Sequence, residues 1–201
     1  MNFTKHFYIL CSCLLLCGIL HAQQFKGGLL LGITGSQIDG DNLGGYNKPG
    51  VTAGMFVKRE VSNKWGYQAE LKYIMKGAAK FTTSSDPTIY RKTIHYLELP
   101  ILALYRLSKV TGVETGLAAA YMGYATLNID NYIDNATSTV KRYDISYIAG
   151  VSYIYSEKVS FNLKFCYSLF PISRLPGNLT VWGKYGQFNH LLALSVYYTL
   201  K

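Results

Sequence analysis

Residues 65–76 read Trp-Gly-Tyr-Gln-Ala-Glu-Leu-Lys-Tyr-Ile-Met-Lys, and the order of residue types within that run decides the fold. Trp65, Tyr67, Ala69, Leu71, Tyr73 and Met75 share one phase, while Gly66, Gln68, Glu70, Lys72 and Lys76 share the other. Successive side chains of a strand point to opposite faces, so this strand is greasy on one face and charged on the other. The pattern recurs outward from there. Tyr143, Ile145, Tyr147, Ala149, Val151, Tyr153 and Tyr155 stand against Asp144, Ser146, Gly150 and Ser152. Val159, Phe161, Leu163, Phe165, Tyr167 and Leu169 stand against Ser160, Asn162, Lys164, Cys166 and Ser168. Leu192, Leu194, Val196, Tyr198 and Leu200 close the chain in the same register.

From Phe25 onward eight such segments follow one another, joined by connections that alternate in length. Short turns fall near 61–64, 108–111 and 156–158; long polar loops fall near 37–49, 78–93, 128–141 and 171–187. Short turns at one end and long loops at the other are the signature of an outer-membrane barrel. The expectation is all-β: an eight-stranded antiparallel up-and-down transmembrane β-barrel with short periplasmic turns and long extracellular loops. Hydrocarbon offers no partner to a free sheet edge, so the first strand must pair with the last. Pro100 would remove a ladder donor in mid-strand, which predicts a bulge or register irregularity there.

Aromatic positions support the same reading. Trp65, Tyr67, Tyr105, Tyr153, Tyr155 and Tyr198 lie near the short-turn or C-terminal end, and Tyr73, Tyr121, Tyr143 and Tyr167 near the long loops. Two belts of amphipathic rings around an apolar band are what two membrane interfaces select. A soluble core would gather its rings at mid-strand.

Residues 1–22 read as a cleaved signal peptide, with Lys5 and His6 ahead of an apolar run and Leu20-His21-Ala22 as the cleavage site. The run is shorter than the roughly 20 residues of a membrane-spanning helix. Leu16 precedes Cys17 where a lipid-anchored chain would place a small residue. The expected mature domain is 23–201, in the bacterial outer membrane after export. Cys11, Cys13 and Cys17 fall in the removed segment, so Cys166 alone remains and no internal disulfide can form. Hydrophobic residues make up 49% and charged residues 15%, apolar for a soluble chain. The 18 Tyr suit membrane interfaces, and the 19 Gly suit turns and crowded lumen positions. Losing Lys5 takes the net charge from +9 to +8. An exported chain does not meet nucleic acid. Its basic residues sit at both ends (Lys58, Arg59, Lys64 and Lys109; Lys80, Arg91, Lys92, Lys141, Arg142 and Lys184), where they suit outer-membrane lipid and lipopolysaccharide headgroups.

Three stretches carry a family resemblance: Gly28-Leu29-Leu30-Leu31-Gly32, Tyr67-Gln68-Ala69-Glu70-Leu71-Lys72-Tyr73 with Lys76-Gly77, and Tyr96-Leu97-Glu98-Leu99-Pro100-Ile101. Over about 25–201 the chain resembles the PorT-like outer-membrane β-barrel proteins of Bacteroidetes-type bacteria. The resemblance implies an eight-stranded outer-membrane barrel and no particular chemistry. Ala69 stands where proline is common in that family.

The inward phase collects Glu70, Lys72, Glu98, Arg106, Glu114 and Lys164, read as a structural charge network because charges inside a narrow barrel must be paired. Asp39-Gly40-Asp41-Asn42-Leu43-Gly44 resembles a calcium loop, but Leu43 and Gly50 stand at ligand positions. His95 and His190 are isolated, and no nucleophile elbow, phosphate loop or zinc spacing appears. The reading is therefore a non-enzymatic barrel, without metal or cofactor, serving a structural, adhesive or docking role. Loop residues such as Tyr46, Tyr90, Tyr132 and Trp182 are candidate contacts for an unidentified protein partner, and full closure predicts a monomer. A small barrel enzyme working at the outer face through Asp86, His95 or His190, or a soluble lipocalin-like periplasmic carrier, are the alternatives.

Overall fold

The computed structural model describes residues 25–200 apart from 42, 83, 85, 174–178 and 182–183; residues 1–22, expected to be a signal peptide, and Trp182 lie outside them. Eight long strands form a closed antiparallel barrel among the described residues: β1 Lys26–Asp39, β2 Lys48–Glu60, β3 Trp65–Lys80, β4 Tyr90–Arg106, β5 Thr111–Ile129, β7 Tyr143–Ile154, β8 Val159–Ser168 and β11 Phe188–Thr199. Three short strands decorate the long connections: β6 Tyr132–Asn135, β9 Leu179–Val181 and β10 Lys184–Gly186. Each long strand pairs with its neighbour in sequence, and β1 pairs with β11 from Gly28↔Thr199 to Asp39↔Phe188, which closes the sheet.

The apolar phase faces outward. Leu31 is 66% exposed, Ile33 64%, Ile101 55% and Leu117 52%, whereas Glu70, Lys72, Lys76, Glu98 and Lys164 are buried. A barrel with aliphatic walls outside and charges inside is the inverse of a soluble carrier, and it fits hydrocarbon on its exterior.

The three short turns are one device used three times. Val61, Leu107 and Tyr155 donate their N–H to the carbonyls of Trp65, Thr111 and Val159. Ser62, Ser108 and Ser156 follow them, and each hydroxyl accepts the N–H of that same far residue at 3.0–3.1 Å. A serine hydroxyl satisfies a turn donor that the ladder leaves over.

The long-loop end departs from expectation in two ways. Strands β3, β4 and β5 run into what reads as loop, and 128–135 forms a hairpin rather than a loop. Asp130 and Asn131 take φ of 48° and 68°, the double positive-φ turn that a two-residue hairpin needs. The second departure concerns Pro100. Its register to β5 is unbroken at Ala118, and only the ladder towards β3 lapses, opposite Glu70 and Leu71. The irregularity lies instead between His95 and Tyr96, where Gly123 is inserted between Met122 and Tyr124 on β5. Proline removes one donor without adding a residue, so it breaks a hydrogen bond but shifts no register.

Candidate functional site in the lumen and at the rims

Inward positions on β3, β4, β5, β7 and β8 assemble one line of charges. Lys76 Nζ lies 3.2 Å from Asp144 Oδ2 and 2.7 Å from Glu98 Oε2. Lys72 bridges Glu98 at 3.4 Å and Glu70 at 3.1 Å, and Lys164 bridges Glu70 at 2.5 Å and Glu114 at 3.5 Å. Every member is fully buried. Neutral groups complete the acceptors: Gln68 and Tyr197 donate to Glu70, and Asn162 donates to Glu114. The lysine stems also run over rings, with Lys76 above Tyr96 at 5.1 Å and Lys164 above Tyr197 at 5.0 Å.

Small residues make the room. Ala120 stands between Asp144 and Glu98 in the row across β7, β5 and β4, so the Lys76 ammonium can reach both carboxylates. At Gly54, opposite Lys72, a Cβ would sit 2.3 Å from the Leu71 carbonyl oxygen, so no larger residue fits where β2 meets β3.

Of the six residues read as the network, Glu70, Lys72, Glu98, Glu114 and Lys164 come together, and Arg106 does not. It lies at the short-turn mouth, 3.1 Å from Glu60, which also takes Lys26 at 3.3 Å. A cavity of about 100 Å³ opens there, lined by Lys58, Glu60, Gln68, Arg106, Glu114 and Asn162. Lys76 and Asp144 are essential members that the list of six omits. Their inward phase was visible in sequence, but their mutual distance was not.

Beyond the charges, the lumen closes at the long-loop end with an apolar cap. Ile38, Ile94, Met122, Ala125 and Leu191 come from strands; Ala136, Val140 and Ile172 come from the connections, with Leu43 packed against them. The connections are stitched together below the rim: Lys141 N–H donates to Ile172 O at 2.7 Å, and Ile172 N–H to Gln187 O at 2.8 Å. These apolar residues inside nominally polar loops were the signal for inward folding.

The rims carry the aromatics. Trp65, Tyr67, Tyr153, Tyr155 and Tyr198 are exposed at one end and Tyr73, Tyr121 and Tyr143 at the other, with Tyr105 and Tyr167 half-buried. Trp65 packs on Tyr105 at 4.7 Å and Tyr121 on Tyr143 at 5.6 Å between ring centroids. At the long-loop rim His190 Nε2 is 2.8 Å from Asp39 Oδ1 and Nδ1 is 3.1 Å from the Tyr46 hydroxyl. Tyr167 donates to the other Asp39 oxygen at 3.2 Å. His95 sits elsewhere, 2.6 Å from the Tyr73 hydroxyl, and Asp86 pairs with Lys80. The three residues weighed for outer-face chemistry are thus dispersed. Asp39 and Asp41 do not share a ligand: Asp39 serves His190 and Tyr167, and Asp41 caps the Leu43 N–H. Among the described residues no group of three or more His, Cys, Asp or Glu side chains is gathered for a metal ion.

A family model described as outer membrane protein beta-barrel domain matches residues 21–174. Comparison with curated proteins gave no match. Among solved structures, the fold is similar to Ail, the attachment invasion locus protein of Yersinia pestis, at 14% identity, with 88% of this chain and 99% of that chain covered and a TM-score of 0.54. It is also similar to Neisserial surface protein A, at 10% identity, with 88% and 97% covered and a TM-score of 0.55. Ail in complex with the heparin analogue sucrose octasulfate gives 13% identity, 88% and 99% coverage and a TM-score of 0.52.

Proposed function

The chain belongs to the outer membrane protein beta-barrel domain family, and from that membership and its sealed lumen we propose a non-enzymatic barrel that docks or adheres through its long loops. The sealed lumen is the observation that carries the reading. An apolar cap above a buried charge line leaves no open channel for sugar-sized solutes among the described residues, so function falls to the surfaces. The long-loop end offers one suited to contact: Tyr132 and Ile133, on the β5–β6 hairpin, are 75% and 65% exposed. Exposed aromatic and aliphatic tips on a rigid hairpin are the kind of anchor that recognition uses. Dispersed Asp86, His95 and His190 give an enzyme no nucleophile to activate.

The two aromatic rims serve as interfacial belts, and exposed Arg91, Lys141 and Arg142 meet lipid and lipopolysaccharide phosphates. The chain is exported by cleavage after Ala22, works as a monomer without cofactor or nucleic acid, and belongs to the PorT-like lineage on its Tyr96-Leu97-Glu98-Leu99-Pro100 motif. A protein partner held by the loops is part of the same reading. The test is surface display of the wild type and of a Tyr132→Ser/Ile133→Ser variant in non-adherent cells. Adhesion gained with the wild type and lost with the variant, while both keep heat-dependent gel mobility, supports docking. Adhesion unaffected by this variant and by shortening of every long loop rules it out.

A further inference from the structure

The buried charges alternate in a single line: Asp144, Lys76, Glu98, Lys72, Glu70, Lys164, Glu114. Four carboxylates and three ammonium groups leave one net negative charge. The two ends differ. Glu114 opens on the short-turn cavity, where Lys58 and Arg106 line the same walls. Asp144 lies beneath the apolar cap, and Lys76 is its only ion-pair partner among the described residues. Both Lys76 and Asn189 Nδ2 address Oδ2, and Oδ1 has no hydrogen-bond partner.

Three more oxygens share that condition beside it. Ser146 Oγ, Ser168 Oγ and Asn189 Oδ1 are buried and unpartnered. Ser146 and Ser168 pair directly across β7 and β8, and Asn189 adjoins His190, which pairs with Tyr167, the neighbour of Ser168. The three therefore form one inward row next to Asp144, and directly opposed residues hold their Cβ atoms about 5 Å apart. Buried polar oxygens in folded proteins find partners, and an unmet one is costly. The Asp144 end thus gathers a carboxylate oxygen and three neutral oxygens that all lack a partner.

We propose that Asp144 Oδ1, Ser146 Oγ, Ser168 Oγ and Asn189 Oδ1 bind a monovalent alkali cation. Hard cations take oxygen ligands, and one carboxylate oxygen among three neutral ones is a low-charge set suited to a single positive charge. The cation would tie β7, β8 and β11 together under the cap, at the level where the loops fold in.

The test is urea unfolding of the purified barrel in detergent at constant ionic strength, in sodium, potassium or N-methylglucamine chloride. At an alkali-cation concentration about 100 times the dissociation constant, the folded-to-unfolded ratio should rise about 100-fold over N-methylglucamine. Asp144→Asn leaves three acids and three lysines, so it should fold and lose the dependence. Ser168→Ala, which leaves every charge in place, should weaken the dependence. Crystals soaked in rubidium chloride should show anomalous density against Asp144 Oδ1. Equal stability in all three salts, a dependence that survives both variants, or ordinary water density alone at the four oxygens would overturn the proposal.

Discussion

Lys76 shows how one residue can be both legible and misjudged. Its inward phase is plain in the alternation of 65–76, yet its two partners lie on other strands, Glu98 on the adjacent β4 and Asp144 on β7, 68 positions along the chain. Removing it strands Asp144 without a cation, whereas Glu98→Gln leaves Lys72 with Glu70 and Lys76 with Asp144. Breaking a buried pair by deleting one partner costs about 3–5 kcal/mol. Lys76→Met should therefore lose about that much in denaturant unfolding in detergent, and Glu98→Gln clearly less. Asp41, in the connection between β1 and β2, offers a pH handle outside the spanning wall. Burial raises its carboxyl above the ordinary 3.8, against the Leu43 N–H and the Lys92 charge, which lower it. The folded state then holds this proton more tightly than the unfolded one. Its contribution is fully present below 3.8 and is lost as pH rises through the raised folded value. Asp41→Asn keeps an oxygen for the Leu43 N–H and should remove that decline, read as loop-local hydrogen exchange across the same pH range.

At the scale of the element, strands were read from a period of two, and that signal survives wherever a strand is regular. It fails where the count slips. Gly123 adds one residue to β5, so Tyr121 and Tyr124 both face outward while Met122 and Ala125 both face in. Deleting Gly123 would remove the bulge and restore an even period, with Tyr124 still outward and Ala125 still inward. The expected outcome is a barrel that keeps its cap, with no new protease cleavage near 125–140; new cleavage there would mean that the bulge itself holds the cap in place. Pro100 drew attention because its chemistry is conspicuous in sequence; a bulged glycine has no such mark. The β5–β6 hairpin was equally hidden, since Asp130-Asn131 is polar enough to pass for open loop until both φ angles are seen.

For the whole molecule, closure and plugging act together. The β1–β11 ladder leaves no edge, and the charge line and cap fill what eight strands enclose. Liposomes carrying the refolded barrel should show no sugar-driven swelling, and unboiled samples should migrate apart from boiled ones on gels. Swelling at porin-like rates would mean that the cap opens in a bilayer.

The sequence by itself determined the architecture, because alternation, turn spacing and the ban on unpaired backbone in hydrocarbon are local or universal constraints. It also determined which phase of Glu70, Lys72, Glu98, Glu114 and Lys164 turns inward. Only the tertiary structure decided that Asp144 and Lys76 complete the line, that Arg106 stands apart with Glu60, and that Leu43, Val140 and Ile172 fold over the lumen. Those facts depend on strand stagger and side-chain reach across the barrel, distances of a few ångströms between residues such as Lys76 and Asp144, 68 positions apart in the chain, which periodicity along one strand does not encode.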